Sequence, residues 1–364
     1  MDFTYCPVIK GKINDIKAMA YVAPAVASVV KPLFELPPFK PTDKPEEVLS
    51  RFAMRLAKLA ARRPCYVDFP LLKPGALTSG GERALEVAFG QLNAVQVPFE
   101  PVYGFDRDES LWGLVGVQAN RSGGLLVRLD PDDLEFPDET IERILELGRH
   151  RLDLRMVDIM IDHRHIGGDV DAMVAAGSTA DFVEKLATAT TIRKLLIAGS
   201  SAPKTVTDID KDGYGEITRH ELTLWARLAT ERLPMRPIFS DYGVIHPEFS
   251  DLTMSTHING KIRYTQGAKF HIHRGHSLRL GDKYDQYRVL SSGVLSSAHY
   301  QGNKFSYGDR YIFDCATGHA GTGNPGTWVL VDQNHHITYA ANQVRRLSVL
   351  VRDGLPAHEV LENA

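Results

Sequence analysis

The chain has 364 residues, 43 % of them hydrophobic, enough for one large core or two smaller ones. Its net charge of -3 carries no overall signature of a nucleic-acid or membrane partner. Cys6, Cys65 and Cys315 are far apart and form no CxxC spacing, which disfavours a disulfide framework or a cysteine zinc site. No run reaches the roughly 18 apolar residues of a membrane span, and the first residues lack a signal-peptide pattern, so a cytoplasmic chain is expected.

The first strand is expected at Tyr5–Ile9, ending at Lys10, with a helix from Asn14 to about Val22. A second strand, Lys31–Leu36, carries Glu35 near its end. The helix Lys44–Arg63 opens on Thr42, Asp43, Pro45, Glu46 and Glu47, all start signals. Its apolar face is Val48, Leu49, Phe52, Leu56 and Leu59. Strands follow at Cys65–Phe69, with Asp68 near the end, at Phe99–Tyr103, and at Gly124–Leu129, with Arg128 at the end. The helices between and after them are expected at Gly81–Asn93, Glu109–Gln118 and Asp138–Leu147. Met156–His165 is an apolar run that stops at Asp162, the pattern of a strand buried on both faces. Helical sequence spans Asp169–Ala189, then strands Lys194–Ala198 and Pro237–Phe239, the latter followed by Asp241.

Alternation of short buried strands with amphipathic helices predicts a parallel sheet. Eight such units over about 250 residues point to an α/β fold of (β/α)8, TIM-barrel-like, type. The open doubly wound sheet is the alternative, but the first turn, Lys10-Gly11-Lys12, has no GxGxxG. Residues 1–345 read as one domain, with barrel strands in 1–250 and rim or cap elements over the mouth in 250–345. Short strands are expected at Lys261–Thr265, Lys269–His273, Trp328–Val331 and His336–Ala341, and helices at Asp282–Ala298 and Asp309–Thr317. Residues 346–364 read as a C-terminal tail, mobile from Arg352 onward.

In barrels the active site lies at the C-terminal strand ends. Those ends carry Lys10, Glu35, Asp68, Arg128, Asp162, His163, His165, Ser200, Ser201 and Asp241. One such residue alone usually bonds to a neighbouring loop. A convergent set must be paired or hold a ligand. Asp162-His163-Arg164-His165 invites a metal reading, which needs a loop conformation to bring both His onto one ion. Asp210–Glu221, DKDGYGEITRHE, aligns with a calcium loop through Asp210, Asp212 and Glu221, although Tyr214 stands where an oxygen ligand is expected. A polar insertion before a helix is the plainer reading. Residues 257–310 are basic and aromatic, with Arg263, Tyr264, Arg274 and Tyr300 among them; they suit phosphate contact or a solvated face equally. Gly321–Trp328 reads as an ordinary Gly-rich turn, and His335-His336 as a pair on opposite sides of a strand.

The chain resembles the beta protein family, found in phages and bacterial genomes. The resemblance rests on Tyr5-Cys6-Pro7-Val8-Ile9-Lys10-Gly11-Lys12, Pro32-Leu33-Phe34-Glu35, Ile217-Thr218-Arg219 with Glu221 and Leu224-Trp225, and Asp241-Tyr242-Gly243. Further pieces are Ile262-Arg263-Tyr264-Thr265, His273-Arg274-Gly275 with Ser277, Tyr300 with Gly302, Phe305-Ser306-Tyr307-Gly308-Asp309, Gly323-Asn324 with Thr327-Trp328, and Asn334-His335-His336-Ile337-Thr338. It implies that Arg263–Thr338 is a functional rim of the same domain, weakens the calcium reading, and gives some support to a role in phage–host conflict. It supplies no reaction.

Two functions are therefore expected. One is a metal-assisted phosphoryl, nucleotide or nucleic-acid hydrolase. Asp162, Asp241 and His336 would be catalytic; Lys10, Arg128, Arg274, Tyr264 and Asp309 would bind the anion. Glu35 and Asp68 would help hold Mg or Mn, with calcium at Asp210–Glu221 a separate expectation. The other is a non-catalytic sensor that recognises a phage protein or small ligand for a defence-locus partner.

Overall fold

The computed structural model describes residues 2–59, 63–73, 75–149, 152–249 and 258–364. Eight parallel strands close into a barrel: β1 (Tyr5–Lys10), β2 (Leu33–Glu35), β3 (Cys65–Asp68), β4 (Phe99–Tyr103), β5 (Leu125–Leu129), β6 (Val157–His165), β7 (Lys194–Ser200) and, after an insertion, β9 (Pro237–Asp241). Closure is the parallel pairing of β1 with β9, where Tyr5 faces Phe239 and Pro7 faces Asp241. Helices α1 (Ile13–Ala20), α2 (Pro24–Ala27), α3 (Pro45–Leu59), α4 (Ala84–Ala94), α5 (Trp112–Ser122), α6 (Pro131–Glu135), α7 (Pro137–Arg149), α8 (Asp169–Ala189) and α9 (His220–Thr230) follow their strands. The barrel reading and its strand positions hold.

Strand alternation sorts the side chains into two cores. Cys6, Val8, Leu33, Tyr66, Val102, Leu126, Met160, Leu196, Ala198 and Tyr242 fill the barrel interior. Their odd-numbered or even-numbered neighbours, such as Tyr5, Ile9, Phe34, Val67, Ile159 and Phe239, pack outward against the helices.

The insertion between β7 and α9 contributes β8 (Gly213–Thr218), which pairs with β11 (Lys269–Ser277); β11 pairs in turn with β10 (Asn259–Gln266), giving an antiparallel three-stranded sheet beside the barrel. The calcium-loop reading met this strand: its second half is extended and sheet-paired, not looped. Helices α10 (Gln286–Leu295) and α11 (Tyr307–Ala316) pack on that sheet.

The largest correction is α12 (Pro325–Arg352), a 28-residue helix where two strands were expected at Trp328–Val331 and His336–Ala341. Its start is the Gly-rich turn: Asn324 accepts from the Thr327 amide in a capping box, and Pro325 stands in the first turn. Ile337, Ala340, Ala341, Val344 and Leu347 join the outer core, so this half of α12 serves as the barrel's eighth helix. Its other half carries the side sheet and α11. The expected tail also differs. Residue 345 falls inside α12, and α13 (Ala357–Glu362) returns to bury Val360 in the outer core.

Candidate functional site

At the C-terminal strand ends, Lys10, Glu35, Asp68, Arg128 and Asp162 all point into the barrel and meet. Arg128 Nη1 donates to Glu35 Oε1 at 2.8 Å and to Asp68 Oδ2 at 2.6 Å, and its Nη2 to Asp162 Oδ2 at 2.7 Å. Lys10 Nζ donates to Glu35 Oε2 at 2.7 Å. Tyr242 Oη donates to Asp162, and Arg107 and Arg164 close the outer side against Asp68 and Asp162. The alternation that fills the barrel explains the convergence: Val8 and Lys10, Leu33 and Glu35, Tyr66 and Asp68, Leu126 and Arg128, Met160 and Asp162 share one inward face.

Asp162 and Asp68 are held ionised. Burial alone would raise the Asp162 carboxyl, but Arg128, Arg164 and the Tyr242 hydroxyl hold it well below the usual range. Burial likewise opposes Asp68, which Arg107 and Arg128 hold low. Burial lowers the Lys10 ammonium, and Glu35 opposes that shift. Access is narrow. The segment after β9 lies across Lys10, which donates to the Pro247 carbonyl and sits 3.9 Å from the Phe249 ring centroid. Gly243 lies in that segment at φ +63°, and a Cβ there would collide with Gln333 Oε1. Arg164 is the most open rim cation, its side chain 38 % exposed against 12 % for Arg107 and 2 % for Arg128.

The other expected site residues lie elsewhere. Asp241 falls on the outer face of β9, one residue out of step with the rim. It accepts from Tyr5 Oη at 2.6 Å and pairs with His336 Nε2 at 2.8 Å and Arg219 Nη2 at 3.5 Å. His336 Nδ1 bonds Thr265 Oγ1 at 2.8 Å. This Asp–His–Thr series resembles a nucleophile relay, but all three are buried between barrel and α12, out of reach of a substrate in this conformation. His335 faces a different way, as helical neighbours do, and bonds Asp309 Oδ2 at 2.8 Å and the Thr265 carbonyl. Asp309 also accepts from Tyr264 Oη at 2.5 Å. Arg274 donates to the carbonyls of Thr207 and Ile209, not to the mouth.

The His of β6 part company at a bulge. Arg164 has φ +56° and the β6–β7 register shifts between Asp162 and His165. His163 then bonds Thr179 of α8 at 2.8 Å, while His165 packs on His246, ring centroids 4.9 Å apart. Asp210, Asp212 and Glu221 are not brought together. Asp212 pairs with His276, Glu221 is buried on Arg219 and the Ser201 amide, and six extended residues between them span roughly 20 Å. Among the described residues, no group of three or more His, Cys, Asp or Glu is placed to hold a metal.

Two networks went unforeseen. Arg107 and Tyr242 complete the mouth. At the opposite end of the barrel, Tyr66 donates to Asp158, which Arg193 Nε holds at 2.8 Å, while Lys31 meets Glu100 at 2.8 Å. Even spacing along a strand was the available signal: Tyr66 precedes Asp68 by two, and Asp158 precedes Asp162 by four.

The pieces that carry the family likeness, scattered over the sequence, meet in space. Tyr5, Arg219, Asp241, Thr265 and His336 form one continuous network, and Tyr264, Asp309 and His335 adjoin it. The Beta protein family model matches residues 5–342. The chain belongs to the Beta protein family. No curated protein matches this beta protein. Among solved structures, an alanine racemase of Clostridium difficile 630 in complex with cycloserine is similar at 13 % identity and a TM-score of 0.35. The match covers 73 % of the beta protein and 60 % of the racemase, under two thirds of that chain.

Proposed function

We propose that this beta protein acts in phage–host conflict as a recognition module, taking a phosphate-bearing ligand such as a nucleotide or nucleic-acid end at the barrel mouth for a partner effector. One observation carries this reading: Glu35, Asp68 and Asp162 are already ion-paired, whereas Arg164, with its Nε on Asp162, leaves 38 % of its side chain open to solvent. Paired acids are poorly placed to take a proton. A half-exposed guanidinium backed by a fixed carboxylate is a ready phosphate clamp.

The convergence of three carboxylates on Arg128 favours a second reading, metal-assisted phosphoryl hydrolysis with Mg²⁺ or Mn²⁺. It requires the guanidinium to give way to the ion. Asp241 and His336 would then act only through their support of β9 and α12.

Calorimetry and turnover assays with nucleotides and short oligonucleotides, with and without Mn²⁺, separate the two. Recognition predicts binding without turnover, weakened about tenfold in Arg164→Ala, the value of one lost charge-assisted contact. Mn²⁺-dependent turnover lost in Asp162→Asn would replace it with the hydrolase reading. No binding by any probe would end both.

A further inference from the structure

On the barrel flank, away from the mouth, α1, α3 and the end of α4 enclose an open groove of about 820 Å³. Its floor includes Ile13 and Met54, which are 42 % and 60 % exposed although apolar. Its edges carry Lys17, Arg51, Arg55 and Lys58, and no acid lines it among the described residues. Arg51, Met54, Arg55 and Lys58 stand at i, i+3, i+4 and i+7 on α3, so they form one stripe along the outward face. The inward stripe of the same helix, Leu49, Phe52, Ala53 and Leu56, already supplies its contact with the barrel. The outward stripe is left largely to solvent, with Arg51 paired to Glu47 at its start.

We infer that this groove docks an acidic amphipathic helical segment of a partner protein, with aliphatic side chains on Ile13 and Met54 and carboxylates along Arg51, Arg55 and Lys58. Charge complementarity selects the partner: three cations in a row over two helical turns match acids at the same spacing. The apolar floor favours a peptide over nucleic acid, whose phosphates gain nothing from Met54. The concave shape favours a helix over a flat bilayer.

The probe is a fluorescein-labelled 18-residue peptide with Leu on one helical face and Glu beside it, titrated by anisotropy into the full chain. Its control has the same composition with the Leu scattered. The expected result is binding to the patterned peptide at least about tenfold tighter than to the control, lost in Met54→Asp and in the pair Arg55→Glu with Lys58→Glu. A peptide with Lys in place of Glu should then bind that charge-reversed pair. All three positions are at the surface, and circular dichroism confirms their fold. Equal binding of both peptides overturns the inference. So does binding of duplex DNA or of phosphatidylserine vesicles, without the peptide, that disappears in the same variants, or self-association of the chain through this face. None of these results bears on Arg164, so the mouth reading stands or falls separately.

Discussion

Arg128 Nη2 lies 2.7 Å from Asp162 Oδ2, and the same guanidinium holds Glu35 and Asp68 within the closed barrel mouth. Desolvating these groups is costly, and their mutual attraction only offsets that cost while the set is complete. Removing the cation at the centre therefore matters more than removing one at the edge.

Arg128→Met should lower stability by ~3–5 kcal/mol, the usual cost of stranding buried charge. Arg164→Met, at a half-exposed site, should cost under ~1 kcal/mol. Urea denaturation of both variants checks the contrast. Equal midpoints would mean that the mouth network contributes nothing to folding.

Barrel strands were legible because a parallel strand buried on both faces is a short apolar run that ends in a charge. Lys10, Glu35, Asp68, Arg128 and Asp162 follow that rule. Asp241 does not join them because strand faces alternate, and a strand read only to Phe239 hides which face Asp241 takes. The helix α12 was illegible for a different reason. Asp332, Gln333, Asn334, His335 and His336 are all buried, each bonded to another element, so α12 shows no polar stripe at helical spacing. Only its Asn324-Pro325 start carried a helix signal. Strand β8 was masked by likeness to a calcium loop, although its exposure alternates residue by residue as an edge strand does.

His336 ties α12 to the barrel through Asp241 and Thr265. His336→Ala opens a cavity and strands two buried hydrogen-bonding groups, so a loss of ~2–4 kcal/mol is expected. Because α12 supplies the eighth helix, its amides from 337 to 347 should exchange only with global unfolding in the native chain. Hydrogen exchange would show a separate, earlier opening of α12 if the helix were merely appended.

Asp15 gives a stability that falls as pH rises. It is buried at the start of α1, one carboxylate oxygen has no hydrogen-bond partner, and burial pushes its carboxyl up to about 7 against the pull of Lys12 and Arg263. Between about pH 4 and 7 the native chain keeps a proton that the unfolded chain has lost. Folding therefore weakens across that window and levels off above it. Asp15→Asn removes the slope, and its gain relative to the native chain should grow by on the order of 4 kcal/mol from pH 4 to pH 8. Urea midpoints at the two pH values test this; parallel changes in both proteins would place the proton elsewhere.

His273 and His299 act in the opposite sense. Their rings lie 5.9 Å apart beside His271, and burial lowers each to about 4, with neighbouring His adding to the shift. Native imidazoles stay neutral while unfolded ones charge below about pH 6.5. Stability from this cluster is complete above that value and drains away as pH falls toward 4. His273→Phe keeps a flat ring against His299 and Tyr214 but removes one titrating group. The acid limb of its stability profile should lose one proton's worth of slope between pH 6.5 and 4, with no change above pH 7. Fluorescence-monitored urea unfolding at half-unit pH steps measures that slope directly. An unchanged acid limb would assign it instead to His163 and His271, which burial also lowers; the lowered carboxyls of Asp162 and Asp68 give up stability only below about pH 4.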